Sequence, residues 1–301
     1  MEPQTSRREH DQIEFERARV PVHYEHEEQI FKWVLGQRMA YSTGIWSSAD
    51  DTLDTAQERK CRTIAARLAL GPGSRALDVG CGWGSVLLYL AEHTPAQLRG
   101  VTLAPRQRVE LLHRAHNLGV EDRVRVDLCH VEDLALTSES LDAVYFVGSI
   151  VHMHRREDII SHMARALKPG GRLFISDCYY PEKIRGDRSS RATHYILHEV
   201  LGYCLLRTLN EELGVLERNG LDILHVDNLT DSYVRTLEAW ISNVRAHRTR
   251  IDALAPGFAA TLQAYMRVAQ RSFRQRTAIE YMILAEKAGC QHLDRGCWAV
   301  G

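Results

Sequence analysis

The stretch Ala76-Leu-Asp-Val-Gly-Cys-Gly-Trp-Gly84 constrains this chain more than any other, because a short apolar run passes directly into closely spaced glycines and then into a helical pattern. Glycines at such a turn let the main chain bend sharply and let a ligand lie against the backbone. Downstream the periodicity predicts strands over 98–103, 124–128, 141–147 and 172–176, with helices over 84–92, 105–118 and 155–167 between them. Pro105 opens the second of these helices, and Lys168-Pro-Gly-Gly171 stops the third. With further strand patterns at 221–226 and 278–285, the spacing predicts an α/β fold: a doubly wound, mostly parallel, seven-stranded sheet with helical lid insertions, holding ligands at the strands' carboxyl ends.

Three segments fall outside that alternation. Residues 1–19 read as a charged, helical N-terminal extension, a candidate for subunit contacts in a homo-oligomer. Residues 20–70 read as an N-terminal helical lid, and 71–301 as the core with helical cap insertions at about 179–213 and 231–274. The charges nearly cancel, to −1, which gives no basic field for nucleic acid. No apolar run approaches the roughly 20 residues of a bilayer-spanning helix, and the N-terminus lacks a secretion signal's apolar stretch. These features predict a cytoplasmic protein without a membrane anchor. The seven cysteines are odd in number and form no C-x-x-C pair, which argues against disulfide frameworks and zinc sites.

The glycine loop discriminates between cofactor classes. A dinucleotide site wants G-x-G-x-x-G with an acid about 20 residues later on the ribose. Here the spacing is G-x-G-x-G, the acid Asp78 precedes the glycines, and the second strand ends at Thr102. An amino-acid-bearing sulfonium without pyrophosphate suits this loop better, since Asp78 can hold an ammonium group. At this point the sequence resembles the class I S-adenosylmethionine methyltransferases, with their Rossmann-like fold. The wording LDVGCGWGS narrows the resemblance to the cyclopropane fatty acid synthase-like branch. Gly100-Val-Thr-Leu-Ala-Pro-Arg-Gln107 is close to the branch's GVTLS-x-x-Q, and Tyr233-Val-Arg-Thr-Leu-Glu-Ala-Trp240 to its Y-x-x-T-L-x-x-W. The resemblance runs from Tyr24 to Lys287 and implies S-adenosyl-L-methionine as cofactor. By position it places Asp78, Gly80, Cys81 and Gly82 around the methionine part, Thr102, Leu103 and Gln107 on the ribose and adenine side, and His130, Val131 and Glu132 at the adenine. It also implies that Tyr24, Tyr41 and Ser42 reach the amino-acid end from the lid.

Methyl transfer from a sulfonium mainly needs alignment and exclusion of water, with acid-base help where the acceptor loses a proton or an alkene leaves a carbocation. The resemblance implies that cyclopropane-forming relatives meet this need with a bicarbonate in a small polar cluster. Here the cluster's glutamate falls on Val151, its cysteine on Thr43 and its histidine near Ser176-Asp177, and Tyr233 alone matches. A desolvated anion would lack partners, which disfavours cyclopropanation.

His152 and His154 follow the fourth strand, where the acceptor should lie, and are candidate proton acceptors, with Tyr233 orienting substrate; a helix-capping role is the alternative. In the insertion, Tyr179, Tyr180, His194, Tyr195, His198, Glu199 and Tyr203 suggest a mixed aromatic and polar wall. The His194–His198 pair lacks a third ligand, so no metal is expected. The expectation is a methyltransferase for a small hydrophobic substrate, with C-methylation of an alkene or terpenoid side chain first. N- or O-methylation, lipid cyclopropanation and non-catalytic cofactor binding are the alternatives.

Overall fold

The computed structural model describes residues 14–19, 21–24, 26–184 and 204–289. Seven strands form one sheet: β1 (Arg75–Val79), β2 (Gln97–Thr102), β3 (Val124–Leu128), β4 (Leu141–Val147), β5 (Leu167–Tyr179), β6 (Leu221–Asn228) and β7 (Ile279–Lys287). Their spatial order is β3-β2-β1-β4-β5-β7-β6. β7 runs antiparallel to both neighbours, and every other pairing is parallel. The order reverses between β1 and β4, and a crevice opens at such a switch point beyond the carboxyl ends of the strands. Asp78 on β1 is in register with Gly100 on one side and Tyr145 on the other.

The period of two along the strands decides what each face buries. Leu77, Val79, Val144, Phe146 and Ile175 pack against α5 (Arg156–Ala166) and α6 (Leu209–Arg218). Ala76, Leu98, Ala143, Tyr145 and Phe174 face α2 (Leu53–Leu68), α3 (Ser85–His93) and α4 (Pro105–Asn117). A third apolar cluster joins α1 (Glu28–Leu35), α7 (Thr230–Leu254) and α8 (Phe258–Arg274). Along α7 the buried Tyr233, Leu237, Trp240 and Val244 recur at helical spacing and form one stripe. Trp83, from the glycine loop, is buried in this same cluster. The helical layer is thereby fastened to the turn after β1.

One expectation gains detail and two need correction. The block drawn over 231–274 is two helices, parted at Ala255-Pro256-Gly257, because proline cannot continue the hydrogen-bond ladder and Gly257 takes φ +80°. The insertion drawn to 213 overruns its end. A capping box, with Thr208 accepting from the Glu211 N–H while the Glu211 side chain accepts from the Thr208 N–H, starts α6, whose Val215 and Leu216 are buried in the sheet's core. The fifth strand is longer than 172–176, because antiparallel pairing with β7 carries it on to Tyr179. His194, Tyr195, His198, Glu199 and Tyr203 lie outside the described residues, as do residues 1–13 and the side chain of Tyr24.

The segment from Cys204 into α6 is held by a buried cation. Arg156 is fully buried, donates to Glu212 at 3.2 Å and also to the Leu205 carbonyl. Removing one member of such a pair leaves an uncompensated charge, whereas replacing both by apolar groups is much cheaper. Arg156→Ala should lower unfolding stability by about 3–5 kcal/mol in urea titrations, and the Arg156→Met/Glu212→Met double variant should recover most of the loss.

Candidate cofactor cleft and acceptor edge

The turn after β1 is built on backbone that side chains would block. Gly80, Gly82 and Gly84 take φ of +79°, +51° and +80°, and the N–H groups of Gly80 and Cys81 both donate to Val101 O at 3.0 Å. A Cβ on Gly80 would lie 2.5 Å from Ser149 Cβ, so the β1 and β4 loops touch only because that atom is absent. Ser149 Oγ then closes the contact by donating to Val79 O. A Cβ on Gly82 would instead meet nothing nearer than Gln107 Nε2 at 4.0 Å and would protrude into the cleft.

That cleft has two joined halves sharing Gly80, Gly82, Gln107 and Gly148. One, of about 640 Å³, is lined by Thr102, Leu103, His130, Val131 and His152, with Glu16 and Pro21 above. Thr102 Oγ1 donates to Gln107 Oε1 at 2.7 Å, which fixes the amide's orientation. His130 Nδ1 accepts from the Glu132 N–H, so its Nε2–H donates to the buried Glu16 carboxylate at 3.1 Å. The other oxygen of Glu16 accepts from His154 N–H at 2.7 Å, and Arg17 forks onto Asp133 at 2.9 and 2.8 Å. Helical residues 14–19 are thus strapped across this half of the cleft.

The other half, of about 510 Å³, is lined by Tyr41, Ser42, Asp78, Cys81 and Trp83. Asp78 is 3% exposed, and burial pushes its carboxyl up to about 8 against the opposing pull of the Tyr145 hydroxyl and Lys60. Lys60, fully buried, donates to Ser42 Oγ at 2.8 Å, and burial brings its ammonium down to about 8. Beyond Gly148, whose N–H donates to Ser176 O at 2.9 Å, lie two more buried carboxyls, Asp177 and Glu280. Burial raises them to about 6 and about 8.

The structure therefore gathers Tyr41, Ser42, Asp78, Gly80, Cys81, Gly82, Thr102, Leu103, Gln107, His130, Val131 and His152 around one cleft. Glu132 is placed elsewhere: its side chain turns to Arg155 at 3.4 Å, beside a separate surface hollow. His154 is absent from the cleft's lining and engages Glu16 through its backbone. Tyr233 sits in the helical cluster, its ring 4.5 Å from Phe273 and 6.1 Å from Trp240. Sequence reading missed Glu16, Ser149, Lys60, Cys178 and Glu280. Glu280 did leave a signal, as a lone acid within the apolar strand pattern Ile279-Glu-Tyr-Met-Ile-Leu-Ala285. Glu16 left none within a uniformly charged segment.

The residues present fit S-adenosylmethionine. Asp78 supplies an anion for an ammonium, the open face over Gly82 admits a ligand against the backbone, and Leu103 and Val131 line an apolar slot for a base. Residues 11–282 match the family described as mycolic acid cyclopropane synthetase. The chain belongs to this family. It is an S-adenosylmethionine-dependent methyltransferase with S-adenosylmethionine as cofactor. It is 33% identical to the methyltransferase GfsG of Streptomyces halstedii over 62% of this chain and 68% of that one. It is 28% identical to a probable fatty acid methyltransferase of Mycobacterium tuberculosis over 88% of this chain, and spans only 61% of that relative's length. The O-methyltransferase resE of Aspergillus sclerotiorum is 34% identical over 63% of this chain and 71% of its own. The fold matches the cyclopropane synthase MmaA2 of Mycobacterium tuberculosis with a TM-score of 0.83 at 22% identity, covering 91% of this chain and 98% of that one.

Only the carboxylate form of Asp78 holds an ammonium, and burial raises its carboxyl to about 8. Binding of S-adenosylhomocysteine should therefore tighten about tenfold from pH 6 to pH 7 and level off above pH 8. Calorimetry should find that slope abolished, with weaker binding throughout, in Asp78→Asn.

Proposed function

We propose that the chain methylates a small, largely apolar metabolite, with an alkene carbon of a terpenoid-like side chain as the first acceptor. The observation that carries this reading is the aromatic wall behind the Asp78 half of the cleft. Tyr41 lines that half, and its ring lies 5.4 Å from Trp240, 6.1 Å from Phe31 and 6.5 Å from Tyr265. Tyr233 and Phe273 extend the stack. Aromatic faces and edges of this kind solvate an apolar chain and attenuate the cost of a passing positive charge. Cyclopropanation of a lipid is less well supported, since Val151 and Thr43 stand where the polar cluster would require a carboxylate and a thiol.

When bound, S-adenosylmethionine supplies a methyl carbon on a positively charged sulfur. Asp78 would fix the amino-acid end, the Thr102–Gln107 pair and His130 would orient the nucleoside end, and Glu16 would shield that nucleoside end from water. His152 lines the Thr102 half, with Nδ1 3.5 Å from Cys204 Sγ, and there keeps its place as a candidate proton acceptor. A second reading, transfer to a hydroxyl oxygen, is favoured by the likeness to the O-methyltransferase resE.

The test is incubation with methyl-labelled S-adenosylmethionine and separate panels of prenyl alcohols and terpenoid alkenes, phenols and macrolide alcohols, amines, and unsaturated phospholipid vesicles. Label on an alkene-derived carbon, located by mass spectrometry, is expected. Label confined to oxygen would establish the second reading instead, and label confined to nitrogen or to acyl chains would displace both. Production of S-adenosylhomocysteine no faster than without acceptor across all panels would overturn catalysis of this class.

A further inference from the structure

Glu280 has surroundings that structural duty does not explain. It opens β7, opposite Cys178 at the carboxyl end of β5, and is 2% exposed. Both of its oxygens are held by uncharged donors: Ser176 Oγ donates to Oε1 at 2.9 Å and Cys178 Sγ to Oε2 at 3.2 Å. No ion pair reaches it among the described residues, and burying a carboxylate without a direct cation is costly. Its place in the fold is equally specific. Ser176 accepts from the N–H of Gly148, which lines both halves of the cleft, and Cys178 packs against the helical cluster containing Tyr233. Glu280 therefore lies between the cofactor cleft and the aromatic cap. The ionisable groups around it are Asp177, Cys178 and Tyr179 on β5, Lys60 on α2 and Tyr233 on α7, with the Thr230 hydroxyl accepting from its N–H.

We propose that Glu280 is the base that takes the acceptor's proton during methyl transfer, with Ser176 and Cys178 positioning its two oxygens. The inference rests on the preceding reading that the acceptor sheds a proton. The acceptor's electron pair forms the new bond to the methyl carbon, and the carbon–sulfur pair returns to sulfur, which becomes neutral. The acceptor's proton passes to the Glu280 carboxylate, giving a neutral acid. The Ser176 hydroxyl can rotate to accept from that acid, so the product state keeps its hydrogen bonds. Burial raises this carboxyl to about 8, which matches a base working near neutral pH. A sulfonium arriving nearby favours the carboxylate, so loading the charged donor readies the base and the neutral spent product does not.

Two measurements test this. Titration calorimetry at pH 7, repeated in buffers of different ionisation enthalpy, counts protons released on binding. S-adenosylmethionine should release up to about one proton more than S-adenosylhomocysteine, because Asp78 responds to both ligands alike and cancels. The excess should vanish in Glu280→Gln, persist in Asp177→Asn, and leave S-adenosylhomocysteine affinity within about threefold of wild type. No excess in the wild type, or an excess surviving in Glu280→Gln and so arising from Lys60, overturns the assignment. With an acceptor from the panels, Glu280→Gln should lose about 100-fold or more in kcat at unchanged KM for the donor, and Glu280→Asp should retain part of it with a shifted pH profile. A loss under threefold overturns the proposal. If the wild type methylates nothing, the functional reading fails, while proton release still decides the role of Glu280. Should Glu280→Gln not fold, the wild-type excess and the Glu280→Asp profile uphold or overturn the proposal in its place.

Discussion

The site depends on a contact between two loops at the point where the strand order reverses. Gly80, closing β1, and Ser149, following β4, meet at a distance no side chain would permit, and Ser149 bonds back to Val79. That contact opens the cleft beyond it and fixes the directions of its walls. β1 sets Asp78 at the floor, the end of β2 brings Thr102, the first turn of α4 brings Gln107, the loop after β3 brings His130, and the loop after β4 brings Gly148 and His152. Trp83, from the same turn, enters the helical cluster, so cap and cofactor loop share one anchor.

A second constraint is electrostatic. Lys60, Asp78, Asp177 and Glu280 are all nearly or fully buried, with three carboxyls against one ammonium. Such an arrangement is expensive as scaffold and useful as chemistry, because dry surroundings bring these groups' titration toward the working pH. Asp78 answers an ammonium on a ligand. Asp177 accepts from the N–H groups of Val151 and Cys178 and holds the loop after β4. Glu280, held by a hydroxyl and a thiol, remains for a charge that comes and goes.

The fold was legible because its strands obey strict local rules. The glycine turn, the apolar β4 and the proline-opened α4 all announce themselves in neighbouring residues. Most residues around the cleft were readable for the same reason, since Asp78, Gly80, Gly82, Thr102 and Gln107 belong to compact motifs on β1, β2 and their loops. Glu16 and Lys60 were not readable, because each acts across the fold: Glu16 reaches His130, and Lys60 reaches Ser42 from a helix whose composition looks solvent-exposed. Glu280 depends on antiparallel pairing of β7 with β5, which places it beside Cys178 only after the sheet has closed. For His154 and Glu132 the motif gave a position but no direction, because adjacency to a strand end does not fix where a side chain turns. The short turns after β4 and β3 set both residues away from the cleft lining.

The central claim is that one cleft orders a charged donor with its reactive end toward the Cys178–Glu280 edge and the aromatic cap. A crystal structure with S-adenosylhomocysteine tests this most directly. The account predicts the amino-acid end on Asp78, the base beside Val131 beneath Glu16, and the sulfur facing Gly148 and the cap. A ligand bound in reverse, or a sulfur turned away from Cys178 and Glu280 toward α4, would contradict it.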